Sequence, residues 1–319
     1  MTLSLGFTLS SEEHPPQELV SLGRRAEEHR FDYLSISDHL HPWVDAQGHS
    51  PFVWSVLGAL AQCTERVEVA VGVTCPIRRF PPLLAAHATA TVSCLLPGRF
   101  TFGVGSGEAL NEHVTGEAWP AVDVRQDMLR EAIGLIRELW RGDPVTHRGE
   151  HFQVESARLY DVPEQPPPLI VSAFGPKAAR MAAELGDGLW THPDPEVIDA
   201  WRGAGGSGPV YSQVTLCYDE SPDKARSMAR ERWPNAGVPG QLTQDLPTPR
   251  HFEMASALVT EEVVAESVHC GPDPQPIVET VRSAMEAGVD HVNVHQIGPD
   301  QDGFLRFWDE TLEPALRSL

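Results

Sequence analysis

The chain has 319 residues, of which 41% are hydrophobic and 22% charged, a composition typical of a globular protein with an ample core. It carries 45 Asp and Glu residues against 24 Lys and Arg, which gives a formal net charge of −21. So much negative charge argues against nonspecific binding to nucleic acid or to an anionic membrane surface, and we expect neither partner.

The termini and the cysteines indicate the compartment. The N-terminal stretch MTLSLGFTLS lacks the basic start and apolar core of a signal peptide, and no run approaches 18 apolar residues. The five cysteines are scattered without a CxxC pair, which argues against a disulfide framework and against a zinc ribbon. We therefore predict a cytoplasmic protein.

Short apolar runs alternate with amphipathic stretches, as in βα units built around a parallel sheet. Eight (β/α) units in about 300 residues predict a (β/α)8 TIM barrel. The alternative, an open doubly wound sheet, needs a glycine-rich phosphate turn after its first strand, and the segment LSSEEHPP there has no glycine. The strands are predicted at 3–8, 32–37, 67–73, 99–105, 168–173, 187–191, 209–217 and 290–295.

Two segments interrupt the alternation. Residues 143–167 read as a hairpin-like excursion, and residues 234–262 are an insertion punctuated by Pro and Gly. An insertion of that length at the loop end of a barrel is more often a lid or substrate wall than a separate domain. We expect residues 1–319 to form one barrel domain with these two insertions.

The stretch SISDHLHPW follows the second predicted strand and allows two interpretations. His39 and His41 have the HxH spacing of metal-dependent barrel hydrolases, but those enzymes need further histidines on later strands, which are scarce here. Alternatively, His39 is a proton-transfer group, its tautomer set by Asp38 and water excluded by Trp43. The position at the carboxyl end of a barrel strand favours catalysis over a structural loop histidine, and we expect no metal.

Two further stretches follow later strands. In FGVGSGEALNE, residues 102–112, the glycines allow sharp turns that expose backbone N–H groups, and Glu108 would add a second titratable group near His39. In VSAFGPKAAR, residues 171–180, Pro176 opens a helix whose N-terminus, with Lys177, suits an anion. Taken alone, either stretch is equally compatible with an ordinary helix start.

Together these stretches carry a family resemblance. The chain resembles the luciferase-like flavin and deazaflavin oxidoreductases, and among them the glucose-6-phosphate dehydrogenases that use coenzyme F420. The likeness runs through nearly the whole chain and includes SDHLHPW, PGRFTFGVGSGEALNE, RLYDVP, GPKAARMAAELGDGLW and GPDQDGFLRFW.

The resemblance implies a homodimeric TIM barrel with the deazaflavin at its C-terminal end and a hydride passed between the cofactor and a small substrate. His39 would take the hydroxyl proton, Glu108 would manage a proton at the cofactor's N1, and Trp43 would pack against the reacting centre. A cis peptide at Gly72–Val73 would support the deazaflavin ring. The residues that would bind the cofactor are Asp38, Gly72, Val73, Cys75, Ser106, Gly107, Asn111, Ala173, Phe174, Gly175, Pro176 and Lys177.

The chain departs from the sugar-phosphate enzymes where they hold phosphate. Those enzymes use two lysines and an arginine, and the matching segments here, THPDPEVID and those around Ser256 and Glu266, carry no such cation. Each lost charge-assisted hydrogen bond is worth roughly 1.5–3 kcal/mol, so we expect glucose 6-phosphate not to be the substrate. Arg250 or His251 could rebuild a weaker anion site.

Two other functions stay open at this point. One is an FMN-dependent monooxygenase or reductase on the same barrel, and the other is the metal-dependent hydrolase suggested by His39 and His41. The expected substrate is a small alcohol or sugar-type CH–OH compound, or a reducible C=X compound. The direction of hydride transfer is not readable, because a histidine can serve as either acid or base.

Overall fold

Eight parallel strands close into a barrel in the computed structural model, which describes residues 3–319. The strand order is β10-β9-β11-β1-β2-β3-β4-β7-β8, and β8 pairs with β9 to close the ring. The predicted TIM barrel and its eight strands are confirmed. The strands are β1 (Ser4–Leu9), β2 (Tyr33–Ile36), β3 (Glu68–Thr74), β4 (Phe100–Val104), β5 (Val145–Arg148), β6 (Gln153–Ala157), β7 (Leu169–Ser172), β8 (Gly188–Trp190), β9 (Val210–Cys217), β10 (Val268–Cys270) and β11 (His291–Gln296).

Fourteen helices are described in the same residues, and most of the longer ones cover the outside of the barrel. Proline in the first turn begins several of them, where its missing N–H costs no hydrogen bond. They are α1 (Pro16–Glu28), α2 (Val53–Cys63), α3 (Pro82–Leu95), α4 (Ala109–Glu112), α5 (Val122–Leu139), α6 (Pro176–Leu185), α7 (Pro195–Gly203), α8 (Pro222–Arg232), α9 (Leu242–Asp245), α10 (Pro249–Ala255), α11 (Glu261–Ala265), α12 (Gln275–Ala287), α13 (Gln301–Phe307) and α14 (Glu313–Arg317). None of the helices within 3–319 is both long and apolar enough to cross a membrane.

Aromatic side chains fill the N-terminal half of the barrel interior. Trp190 stacks on Tyr211 with ring centroids 4.9 Å apart, and Tyr33 meets Tyr211 edge-on at 5.6 Å. A Cβ atom at Gly6 would lie 2.4 Å from the Tyr33 ring, so only glycine fits beside it. Because this end is plugged, the interior can receive a ligand only from the carboxyl ends of the strands.

The two segments that interrupt the alternation contain short elements of their own. Residues 143–167 contain the antiparallel hairpin of β5 and β6. Residues 234–262 form a short 3-10 turn followed by α9, α10 and the start of α11. The chain then runs into β10, a ninth strand that pairs with the last three residues of β9 outside the closed ring.

Candidate active site

His39 lies in the loop after β2 with carboxylates on both sides of its ring. Its Nε2 is 3.3 Å from Oε1 of Glu108, in the loop after β4. Its Nδ1 is 3.4 Å from Oε1 of Glu12, in the loop after β1, and 3.1 Å from the carbonyl oxygen of His41. The structure therefore brings the predicted His39 and Glu108 together and adds Glu12, which the sequence reasoning missed.

The His41 carbonyl sets the tautomer of His39. A carbonyl oxygen can only accept, so Nδ1 carries the proton and donates it, which leaves Nε2 as the nitrogen that gains or loses a proton. The prediction that Asp38 sets this tautomer is wrong. The Asp38 carboxylate is buried and turned away, accepting from Thr74 Oγ1 at 2.7 Å and from Arg79 Nη2 at 2.9 Å.

Arg79 connects Asp38 to a second buried carboxyl group. The backbone N–H of Arg79 donates to Glu112 Oε2 at 2.8 Å, and its Nε lies 3.6 Å from Glu112 Oε1. Burial raises the pKa of Glu112 to about 7, even though Arg79 opposes the shift. This cluster holds the loop after β3 against the end of α4 and against Asp38 in the loop after β2.

Asn111, predicted as a cofactor ligand, joins the two catalytic loops. Its Oδ1 accepts from the backbone N–H groups of Leu40 and His41 at 2.7 and 3.1 Å. Its Nδ2 donates to Glu108 Oε1 at 2.8 Å. One buried amide thus fixes the position of both the His39 turn and the Glu108 carboxylate.

Trp43 packs beside His39, with ring centroids 5.0 Å apart. Its other neighbour is Phe252 of α10, which it meets edge-on at 5.1 Å. Gln47 accepts the Trp43 backbone N–H at 2.8 Å and donates to the carbonyl of Arg232 at 3.1 Å. The 234–262 insertion therefore packs against the loop that carries Trp43, and it covers the site from that side.

The two carboxylates control the protonation of His39. Burial lowers the pKa of its imidazole, but the negative charges of Glu12 and Glu108 outweigh burial, and the net effect is a raised pKa. Burial also raises the pKa of Glu12, but nearby His39 and the Ser37 hydroxyl, which donates at 2.6 Å, lower it overall. The two carboxylates thereby stabilise the protonated imidazole relative to the neutral one.

Glu12→Gln is expected to move the pH profile of kcat/KM towards acid. The substitution removes the strongest charge that raises the pKa of His39, so the pKa falls and the neutral base persists to lower pH. The part of the pH profile that reports the ionisation of His39 moves to lower pH whether His39 acts as a base or as an acid. Steady-state rates between pH 5 and 9 measure the shift, with the exposed Glu150→Gln as control. An unchanged pH profile would mean that Glu12 does not govern the pKa of His39.

The wall formed by β3 and β4 is built from glycines and small residues. A bulge interrupts β3 between Val71 and Thr74, and the expected cis peptide at Gly72–Val73 is present. Gly107 has a φ of +73°, and a Cβ atom there would lie 2.4 Å from Cys75 Sγ. Burial raises the pKa of the Cys75 thiol well above its usual value, so it stays protonated. The Trp190 ring packs against Gly72, where a Cβ atom would lie 2.5 Å from it, and Ser106 lies half-buried at the rim of the wall.

The loop after β7 lies next to the wall formed by β3 and β4, since β7 pairs with β4. Ala173 is buried, whereas Phe174 is 54% exposed and packs against His192, with ring centroids 4.7 Å apart. Gly175 and Pro176 begin α6 as expected. Lys177 is exposed, and its ammonium forms an ion pair with Asp123.

The two residues expected to form a weaker anion site, Arg250 and His251, lie on α10. Arg250 is exposed, and His251 is turned towards Thr248, with its Nδ1 2.7 Å from the Thr248 hydroxyl. Within residues 3–319 no three His, Cys, Asp or Glu side chains are arranged as ligands of one metal ion. His41 bonds the Leu110 carbonyl at 3.0 Å, away from His39.

The closed parallel barrel, with acid–base groups at the carboxyl ends of its strands, places the chain among the TIM-barrel enzymes. Within that class it belongs to the luciferase-like monooxygenase family, whose model matches residues 2–291. The chain is 37% identical over 334 aligned positions to an F420-dependent glucose-6-phosphate dehydrogenase of Rhodococcus erythropolis, covering 99% of this chain and 98% of that protein. The family resemblance expected from the sequence is confirmed.

Solved structures agree. An F420-dependent secondary alcohol dehydrogenase, in complex with an F420–acetone adduct, superposes with a TM-score of 0.90 at 32% identity, over 99% of both chains. The F420-dependent tetrahydromethanopterin reductase of Methanopyrus kandleri gives a TM-score of 0.77 at 21% identity, over 99% of this chain and 100% of that one. The second likeness supports the fold alone.

Proposed function

We propose that the protein is a coenzyme F420-dependent oxidoreductase that transfers a hydride between the deazaflavin and a CH–OH or C=X carbon of a small, uncharged substrate. The oxidoreductase class and the F420 cofactor, predicted from the sequence, are confirmed by relatives that match the chain end to end. The observation that carries the proposal is the position of His39. It is held between two carboxylates, beside Trp43 and close to the glycine wall, the wall formed by β3 and β4.

In the oxidising direction His39 Nε2 takes the proton of the substrate hydroxyl. Its Nδ1–H stays bound to the His41 carbonyl, and the Glu12 carboxylate stabilises the imidazolium that forms. When bound, the deazaflavin would supply the redox chemistry, as acceptor of the hydride that leaves the substrate carbon with both electrons of the C–H bond. In the reducing direction the same Nε2 gives its proton to the forming hydroxyl.

The remaining roles are assigned to the chain's own groups. Glu108, held by Asn111, manages a proton at the N1 position of the cofactor, and Trp43 excludes water from the reacting carbon. The cofactor would be held by the glycine wall, from Gly72–Val73 to Ser106–Gly107, and by the turn from Ala173 to Lys177.

Glucose 6-phosphate is proposed not to be the substrate, although the similar enzymes are named for it. The segments that would supply phosphate-binding cations instead contain His192, Ser256 and Glu266. Ser256 is buried and donates its hydroxyl to the Phe252 carbonyl, and Glu266 adds negative charge. A phosphate would also approach a site that already contains Glu12 and Glu108, and like charges repel.

Equilibrium titration with F420 and with FMN tests the cofactor directly. We expect quenching of F420 fluorescence with micromolar or tighter affinity, and affinity for FMN at least tenfold weaker. The reaction follows from the loss of deazaflavin absorbance with glucose 6-phosphate and with uncharged alcohols and sugars. Preference for FMN would favour the monooxygenase alternative, and fast turnover of glucose 6-phosphate would contradict the substrate proposal.

Three broader assignments rest on the resemblance and on composition. The homodimer, the cytoplasmic location and the organisation of the chain as one domain stay predictions. Sedimentation velocity at several protein concentrations measures whether the protein is a homodimer.

A further inference from the structure

Uncharged polar side chains line the barrel interior on three adjacent strands, β9, β11 and β1. The side chain of Gln213 is exposed, although Ser212 and Val214 on either side are buried. Strand β9 is hydrogen-bonded on both edges, to β8 and β11. Since side chains alternate between the interior and the helix layer, Gln213 faces the interior, which is open at that depth.

Gln213 is the centre of a hydrogen-bond network. Its Oε1 accepts from Asn293 Nδ2 at 2.9 Å and from the Thr8 hydroxyl at 3.5 Å. Its Nε2 donates to the Thr215 hydroxyl at 3.1 Å and faces His295 Nδ1 at 3.5 Å. The side-chain oxygen Oδ1 of Asn293 is buried and has no partner within the part of the chain that the structure describes, so Asn293 lies behind Gln213 and holds it in place through Nδ2.

The orientation of Gln213 is set by a buried histidine, His295. An amide nitrogen only donates, so His295 Nδ1 must accept and its proton lies on Nε2. That proton is donated to Glu13 Oε2, 2.9 Å away, and both side chains are at most 5% exposed. The amide of Gln213 is thus fixed, and its contact with the Thr8 hydroxyl, at 3.5 Å, is long enough for Oε1 to accept from a substrate hydroxyl instead.

We propose that Gln213, with Thr8, Thr215 and Asn293, forms a subsite for a hydroxyl group of an uncharged, polyhydroxylated substrate such as an unphosphorylated sugar. This inference rests on the proposed function and names its substrate class. Amides and hydroxyls both donate and accept, which matches a hydroxyl group and not an alkyl chain. The carboxylate nearest this network, Glu13 bound to His295, would repel a phosphate.

The subsite lies on different strands from the glycine wall that is proposed to hold the cofactor. The glycine wall belongs to β3 and β4, whereas the subsite belongs to β9, β11 and β1, on the other side of β2 and His39. A substrate between the two would offer one carbon to His39 and a second hydroxyl to Gln213. A compound with a single hydroxyl group would contact His39 and not Gln213.

The test compares three probes, D-glucose, glucose 6-phosphate and 2-propanol, with the F420-loaded enzyme. We expect kcat/KM for glucose to exceed that for glucose 6-phosphate at least tenfold. Gln213→Leu and the isosteric Thr8→Val should lower the ratio of kcat/KM for glucose to that for 2-propanol by about tenfold to a hundredfold, mainly through KM. Gln153→Leu, an exposed glutamine on β6, is the matched control and should leave the ratio unchanged.

Two readouts separate failure of this inference from failure of the proposed function. F420 binding, measured by fluorescence quenching, should change less than threefold in the variants, whereas a wild-type protein that does not bind F420 would overturn the function itself. Saturation-transfer NMR detects glucose binding without turnover, and its signal should be lost in Gln213→Leu. Equal glucose signals in both proteins, or equal losses of rate on glucose and 2-propanol, would overturn the subsite.

Discussion

Replacing His39 by asparagine is expected to lower kcat by about a thousandfold while F420 affinity changes only a fewfold. General acid–base catalysis typically contributes 10²–10⁴-fold, and His39 is the group placed to exchange a proton through Nε2. Asparagine is also close to the ring in size, so the pocket between Glu12 and Glu108 stays filled. Single-turnover reduction of bound F420 isolates this step from product release.

His87 provides the matched control for that experiment. It is exposed on α3, on the outside of the barrel, and His87→Asn should leave both kcat and F420 binding unchanged. If His39→Asn retained more than a tenth of the wild-type rate, another group would have to carry the proton, and the assignment of His39 as the acid–base residue would be wrong.

Asn111→Leu is expected to lower kcat at least a hundredfold and to destabilise the fold. Leucine leaves the buried N–H groups of Leu40 and His41 without their acceptor, and each such loss costs about 1–3 kcal/mol. It also frees the Glu108 carboxylate, and misplacement of catalytic groups by about 1 Å can cost a hundredfold in rate. Thermal unfolding and steady-state kinetics measure the two effects.

Asn111→Asp separates the two functions of this amide. Aspartate keeps the acceptor for the Leu40 and His41 N–H groups but replaces the donor to Glu108 with a second carboxylate. We expect its melting temperature to lie closer to the wild type than that of the leucine variant, and its pH profile to be altered. Identical behaviour of the two variants would contradict this division.

Much of the architecture follows from patterns that are local in sequence. The apolar runs at 32–37 and 67–73 predicted strands because alternate residues face a plugged interior and a helix layer, and both strands are present. His39 and Glu108 were predicted because both follow such strands, and the carboxyl ends of barrel strands meet on one face.

The rest depends on contacts between distant segments. The sequence pattern assigns no role to Glu12 and Glu13 in the segment LSSEEHPP, although two carboxylates directly after a first strand are themselves a signal. Nothing local shows that Glu12 faces His39 while Glu13 faces His295, 282 residues away. Likewise Asp38, next to His39 in sequence, bonds Thr74 and Arg79, because its side chain leaves the strand end on the opposite side.

The 234–262 insertion is attached to the barrel at both ends, by Gln47 at Arg232 and by β10 at β9. Changes of length between two fixed anchors are thermodynamically cheap, since closing a loop costs only about 0.6 kcal/mol more for each doubling of its length. Evolution can therefore lengthen or shorten this wall by insertions and deletions while the barrel and His39 keep their places. Enzymes on this scaffold can in this way acquire new substrates while the residues around His39 stay unchanged.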